Sequence, residues 1–379
     1  MPKARVPYLV LALVLMASMI LAACAPAATP TAAPTQPPVE QPTTPPQPTT
    51  PPQPTTPPVA EATAVPTVAP TPAPNCAPMA DKPAVAASGL GSADNPIVIT
   101  FVPSGDTGKI AVAGDNIAKC LTQMTGLNFK IEVGTSYAAS IEAMGAEKAQ
   151  IGFLNTFSAV AAGIKYGVVP VLAVVRKYST NDVDPDKALA GQPEPFYKAE
   201  FLANSASGIK GFSDLKGKTF CFVDPASTSG YIIPRMILKS KGINPDSDFS
   251  STQNAGSHNN VAIAVYKGDC DAGVAYVDIR TDTTANLQAT YPDILTKVTV
   301  FADSDRIPND GVQVVKSFPA DYTTALVNAM VALSTDPGGK LMLKSLYNAD
   351  AYEKIDPTFY SGFTQLCQSA GPDLCPLPK

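Results

Sequence analysis

An α/β fold of two lobes around a cleft is predicted by three features of the sequence. Apolar, β-branched runs alternate with helical patterns from residue 97 onward, which calls for parallel strands covered by helices. One helix–turn–strand unit has a similar partner further along the chain. The last part of the chain reads as returning to the first lobe, so that two segments cross between lobes and form a hinge.

The chain starts with a different kind of segment. Lys3 and Arg5 precede an apolar run to Ala22, and Leu21-Ala22-Ala23 leads into Cys24. A charged start, an apolar core and small residues at the cleavage point mark an export leader rather than a folded element. The run into Cys24 resembles the bacterial lipobox, which implies a leader at 1–23 and a lipidated Cys24 that holds the protein on a membrane. Residues 24–95 are expected to form a linker. Its Pro, Thr, Ala and Gln carry too little apolar surface to fold, and the repeated Pro-Thr-Thr-Pro-Pro-Gln favours extended polyproline II. At about 3.1 Å per residue such a stalk reaches on the order of 150 Å.

The folded elements follow in order. Ile97-Val98-Ile99-Thr100-Phe101 is a buried strand, turned by Pro103-Ser104-Gly105-Asp106. Ile110, Ala113, Ile117, Leu121 and Met124 recur at helical spacing until Gly126. Strands at 129–133, 151–154 and 170–175 alternate with helices at 137–148 and 156–166. In the second set, a strand at 219–223, helices at 231–241 and 259–266, and a strand at 272–275 repeat the scheme. The helix–turn–strand unit at 141–152 pairs with the one at 262–273, and each strand runs into a polar or Tyr-bearing loop. The return brings a strand at 311–316 and helices at 319–335, 338–347 and 357–369. The expected organisation is lobe 1 at 96–203 with 303–379 and lobe 2 at 204–302. The crossings fall near 196–204 and 298–304.

Six cysteines remain beyond Cys24, an even number that suits disulfides in an exported chain. Spacing alone does not choose among their pairings. The expected set is Cys221 with Cys270, Cys367 with Cys375, and Cys76 with Cys120. His258 is the single histidine, and a Cys/His metal site is not expected. The net charge of −5 and the absence of a basic run argue against nucleic acid as a partner. No cofactor is implied. Asp182-Val183-Asp184-Pro185-Asp186 lacks the Gly and terminal Glu of a calcium loop and reads as a solvated loop.

The sharpest chemical signal is Ser227-Thr228-Ser229-Gly230, placed between the strand at 219–223 and a helix. The first N–H groups of a helix lack partners and its dipole is positive there, which suits an anion. Three hydroxyls add uncharged donors, and Gly230 permits close backbone approach. The expected site therefore grips a tetrahedral oxyanion without Lys or Arg.

The run from Phe220 through Ser227-Thr228-Ser229-Gly230-Tyr231 to Pro234 resembles the phosphate, phosphite and phosphonate binding proteins of ABC importers. So do Gly256-Ser257-His258, Gly268-Asp269-Cys270-Asp271-Ala272-Gly273 and Arg306-Ile307-Pro308-Asn309-Asp310. The likeness covers about residues 97–350. It implies a type II periplasmic-binding-protein fold, a small phosphorus oxyanion as ligand, and an ABC permease as partner of a monomeric binding protein. It also implies a ligand-contacting His258, whose ring an adjacent anion would push toward the protonated form. Tyr137 follows Gly134-Thr135-Ser136 at a position where the family has a Tyr. Asn155 and Thr156, at the next strand exit, are candidate donors. Asp278 and Asp310 are candidate partners for an amino-bearing ligand.

Two other classes fit the same cleft: an enzyme acting on a phosphoryl compound, and a lipoprotein that senses ligand. With one His and no Walker-type loop, an enzyme's nucleophile and base are hard to assign.

Overall fold

A computed structural model describes residues 71–378. The expected leader at 1–23, the lipidated Cys24 and the greater part of the linker lie outside the described residues.

Strands β1 (Ile97–Phe101), β2 (Phe129–Val133), β3 (Ile151–Leu154) and β4 (Val169–Lys177) alternate with helices α1 (Thr107–Thr125), α2 (Tyr137–Gly145) and α3 (Thr156–Tyr166). Several helix boundaries have a local cause. Asp106 caps α1 by accepting from the Lys109 N–H, and Gly126 ends it at φ 77°. Ser136 caps α2 by accepting from the Ala139 N–H at 3.1 Å. Short strands β5 (Pro193–Glu194) and β6 (Phe196–Tyr197) lead to β7 (Ala199–Asn204).

The second lobe continues with β8 (Thr219–Phe222), α4 (Ile233–Ser240), β9 (Ser251–Asn254), α5 (His258–Lys267) and β10 (Ala272–Tyr276). Two short helices, α6 (Leu287–Thr290) and α7 (Ile294–Lys297), precede β11 (Val298–Asp303). The chain then returns through β12 (Ile307–Pro308) and β13 (Gly311–Val314). It finishes with α8 (Ala320–Thr335), α9 (Pro337–Lys344), β14 (Ala351–Lys354) and α10 (Ser361–Ala370).

The first lobe is built on a sheet of order β14-β4-β13-β3-β1-β2, and the second on β11-β7-β10-β8-β9. Both sheets are mixed rather than purely parallel. β1 lies parallel to β2 and β3, but β13 inserts antiparallel between β3 and β4. In the second sheet β7 runs antiparallel to both β10 and β11. These antiparallel members adjoin the crossings, where the chain enters a sheet from the other lobe rather than by a helical crossover. The crossings themselves are tighter than expected. β7 and β11 belong wholly to the second sheet, and the two-stranded ribbon of β6 with β12 marks the passage between lobes.

Two findings revise the expected outline. Residues 75–95, expected as linker, lie along the first lobe. The Met79 N–H donates to the Met124 carbonyl at 2.8 Å, the Tyr322 hydroxyl donates to the Leu90 carbonyl at 3.0 Å, and Cys76 is bonded to Cys120. The acidic loop at 182–186 is fastened rather than solvated. Asp184 is 2% exposed and meets Lys198 Nζ at 2.8 Å, and Lys198 also reaches Asp186 at 2.9 Å. The three disulfides are Cys76–Cys120, Cys221–Cys270 and Cys367–Cys375.

Candidate functional site

After β8 the chain turns through Asp224, whose carboxylate accepts from the Ala226 N–H at 2.8 Å. Ser227 then caps the next turn, its Oγ accepting from the Gly230 N–H at 3.2 Å. Thr228–Ile232 wind as one wide π-turn before α4 begins. The sequence predicts a plain α-helix here; the wider turn, of a kind frequent at functional sites, arises as the Ile232 N–H reaches back to the Ser227 carbonyl. Any side chain at residue 230 would collide with Val223, so glycine alone lets this turn lie on the end of β8.

Ser227, Thr228 and Ser229 are all at most 2% exposed, and all three line a cavity of about 50 Å³ between the lobes. Their three hydroxyls do not have equal roles. Thr228 Oγ1 accepts from Asn155 Nδ2 at 2.8 Å and from the Phe157 N–H at 2.9 Å. Asn155 Nδ2 also donates to the Ala226 carbonyl at 2.8 Å. The start of α3 in one lobe is thus bonded directly to the 226–228 turn in the other. Further bonds cross nearby. The His258 N–H donates to the Ser104 carbonyl at 3.0 Å, and Lys109 Nζ donates to the Thr284 carbonyl at 3.1 Å. The lobes are closed on one another.

His258 opens α5 and faces the cavity. Its Nδ1 accepts from the Tyr276 N–H at 3.1 Å, and its Nε2 lies 3.4 Å from Ser227 Oγ. A backbone N–H can only donate, so Nδ1 is the acceptor and Nε2 carries the proton. Burial, with Arg176 as a second cause, pushes the ring down to about 3. The expected imidazolium gives way here to a neutral ring that offers one aimed N–H. Tyr137, at the first turn of α2, is 1% exposed; its hydroxyl faces Ser227 and has no hydrogen-bond partner among the described residues. Burial pushes its phenol well above the ordinary value, so it stays a donor.

The remaining candidates divide. Asn155 lines the cavity, and its Oδ1 has no hydrogen-bond partner. Thr156 does not line it; its hydroxyl donates to the Pro308 carbonyl at 2.6 Å. Asp310 lines it, and its Oδ1 is buried without a partner. Burial raises Asp310 to about 6, against the pull of Arg176 and the Thr156 N–H. Asp278 lies outside the lining, at φ 68°, where the Ser179 hydroxyl donates to it. Burial, helped by Asp282, raises it to about 7.

The largest departure from the sequence reading is Arg176. A site of uncharged donors is expected, yet this guanidinium lines the cavity and its Nε has no hydrogen-bond partner among the described residues. Burial works against its charge, but Asp310, Tyr276, Asp282 and Asp278 outweigh burial and hold it above its ordinary value. In the sequence Arg176 closes an apolar strand and is followed by Lys177, a pair that reads as a solvent-facing strand end. Tyr197 and Tyr276 also face the cavity, each within 6 Å of the Arg176 guanidinium, at 5.8 and 5.9 Å from ring centre to Cζ. Tyr276 carries a signal in the sequence, since it ends the strand of the repeated unit as Asn155 follows the strand of the first.

The chain is 31% identical over 195 residues to the phosphate-import protein PhnD of Mycolicibacterium smegmatis, covering 50% of this chain and 57% of that protein. It is 28% identical over 167 residues to the phosphonates-binding periplasmic protein of Escherichia coli, covering 42% and 47%. The matched stretches thus span about half the length of these curated relatives. A binding component of an ABC phosphonate transporter from Pseudomonas aeruginosa superposes with a TM-score of 0.62 at 21% identity, over 73% of this chain and 86% of that one. PhnD1 of Prochlorococcus marinus, solved with methylphosphonate, superposes at 0.60 and 17%, over 72% and 97%. These likenesses show the type II periplasmic-binding-protein fold. Residues 99–360 match the family model for the phosphonate-binding periplasmic substrate-binding proteins of ABC transporters, a family of binding components rather than enzymes. On that match across most of its folded part, the chain belongs to this family.

Proposed function

We propose that this protein captures a small phosphorus oxyanion outside the cytoplasm and delivers it to an ABC permease, as a monomer held to the membrane by lipid on Cys24. The observation that carries the reading is the convergence of donors from both lobes on one enclosed cavity. Tyr137 and Arg176 come from one side, Ser227, Ser229 and His258 from the other. A cavity of about 50 Å³ is a few times the roughly 10–15 Å³ that a single water needs, which suits one tetrahedral ion. Ligand bridging both lobes favours the closed form, and a permease that reads the closed form distinguishes loaded from empty protein. The leader, the lipobox-like Cys24 and the Pro-rich stalk support export and tethering. The lobe assignment of 96–203 with 303–379 against 204–302 is part of this proposal. The sheets support it except at β7, whose residues 199–204 pair within the second sheet and move that boundary to just before residue 199, and the docked residues from 75 extend the first lobe toward the N-terminus.

The test is a thermal-shift panel of phosphate, phosphite, methylphosphonate, 2-aminoethylphosphonate and sulfate. At least one phosphorus oxyanion raises the melting temperature by linkage. A panel with no shift at millimolar ligand refutes the proposed ligand class.

A further inference from the structure

We propose that Arg176 and Asp310 together read the fourth substituent on phosphorus as a hydroxyl, making the cavity selective for orthophosphate over alkylphosphonates. This rests on the phosphorus-oxyanion reading above and narrows it.

The pair is built by the sheet. β13 runs antiparallel to β4 with Gly311 opposite Ala173, and the Val174 N–H donates to the Asp310 carbonyl at 2.8 Å. Asp310 therefore stands opposite Val174. Arg176, two residues further along β4, is its diagonal neighbour on the same face of the sheet. Both side chains line the cavity, and each keeps a buried polar atom without a hydrogen-bond partner among the described residues: Nε of Arg176 and Oδ1 of Asp310. One is a donor and the other an acceptor.

Three oxygens of a bound tetrahedron are served by groups that donate: Tyr137, the Ser227 and Ser229 hydroxyls and the His258 Nε2–H. Hydroxyls and an imidazole N–H treat every oxyanion alike. A carboxylate does not, because it repels an oxygen that carries no proton. The fourth position thus meets a carboxylate that wants a proton and a guanidinium that wants an oxygen. A P–OH group supplies both, donating to Asp310 and accepting from Arg176. Methylphosphonate cannot serve all four positions: with its methyl at the pair it leaves both buried charges unserved, and with a P–OH there it sets the methyl against a donor, so either orientation costs affinity. Sites built to bond a ligand hydroxyl reject analogues that lack it far more strongly than apolar pockets reject a shape change. Sulfate is excluded by the same logic, since at neutral pH it brings no proton. An aminoalkyl arm is disfavoured by the positive Arg176 and by the small cavity.

Titration calorimetry on the full chain at neutral pH decides this. Phosphate is expected to bind at least tenfold tighter than methylphosphonate and sulfate. The phosphate-to-methylphosphonate ratio is expected to shrink at least tenfold in Arg176→Met. Asp310→Asn, which preserves shape, is expected to shrink it as well and carries the test if the first variant does not fold. Equal or tighter binding of methylphosphonate by the native protein overturns the inference. So does a variant that weakens both ligands by the same factor. Tightest binding of 2-aminoethylphosphonate overturns it too, because Asp310 then serves an ammonium. If no phosphorus compound binds at all, the failure lies with the proposed function.

Discussion

His258 shows how much one backbone donor decides. Because the Tyr276 N–H occupies Nδ1, the ring presents Nε2–H to the cavity without needing a positive charge. Its depressed ionisation, to about 3, keeps it neutral across the physiological range in the unliganded protein. We expect its ring nitrogens to show no titration between pH 5 and 8 in ¹⁵N-resolved NMR, and His258→Ala to weaken oxyanion binding at least tenfold by calorimetry. Unaltered affinity in that variant would remove the imidazole from the site. Thr228 makes a different point. Its hydroxyl accepts twice across the cleft, so it contributes to closure before it contributes to binding. The hydroxyl triplet was legible in the sequence because three donors at one strand exit have few other uses. The unequal division of labour among them was not legible, since it depends on Asn155 and Phe157 arriving from the other lobe.

At the level of elements, the apolar strands and their helices could be read from periodicity, since burial on one or both faces imposes it. β9 could not: Ser251-Thr252-Gln253-Asn254 is exposed along its whole length and joins β8 by backbone pairing and the polar Gln253 side chain. The two-residue strands of the hinge ribbon are too short to carry any pattern. Arg176 was hidden for a related reason, since the sequence shows a charge at a strand end but not the cavity that the strand runs into. The disulfides tie elements together with unequal leverage. Cys221 and Cys270 are 49 residues apart and join β8 to the turn before β10, whereas Cys367 and Cys375 are 8 apart. In the chain-entropy view the longer loop is worth about 4 kcal/mol and the shorter about 2.5 kcal/mol. Replacing Cys221 and Cys270 together by Ala is therefore expected to cost more stability in urea titrations than replacing Cys367 and Cys375. The reverse order would show that native-state strain or residual structure, not loop length, sets their contribution.

Across the whole molecule, buried carboxyls gather where the lobes meet. Glu200 on β7 is raised to about 8, mainly by burial against the opposing pull of Arg280, and Asp278 and Asp310 are raised to about 7 and about 6. Asn181 bridges Glu200 and Asp303, donating at 3.3 and 2.9 Å. These carboxyls keep protons in the folded state that the unfolded chain has already released by about pH 5. Stability is therefore lost as pH rises through 6 to 8. His258 acts in the opposite sense, but its share is complete above about pH 6.5, the unfolded value. The melting temperature of the unliganded protein is expected to fall between pH 6.5 and 8.5, and Glu200→Gln to flatten that fall. A melting temperature that rises over the same interval would contradict the assignment. A mechanical consequence follows from the first-lobe attachment of residues 75–95 and of α10. The Cys76–Cys120 staple takes up any pull arriving from the N-terminal side, and the C-terminal end is likewise fixed to the same lobe by the Tyr360 hydroxyl on the Asn309 carbonyl. Tension applied between the two ends then runs through one lobe only. The second lobe then lies outside the path of that load.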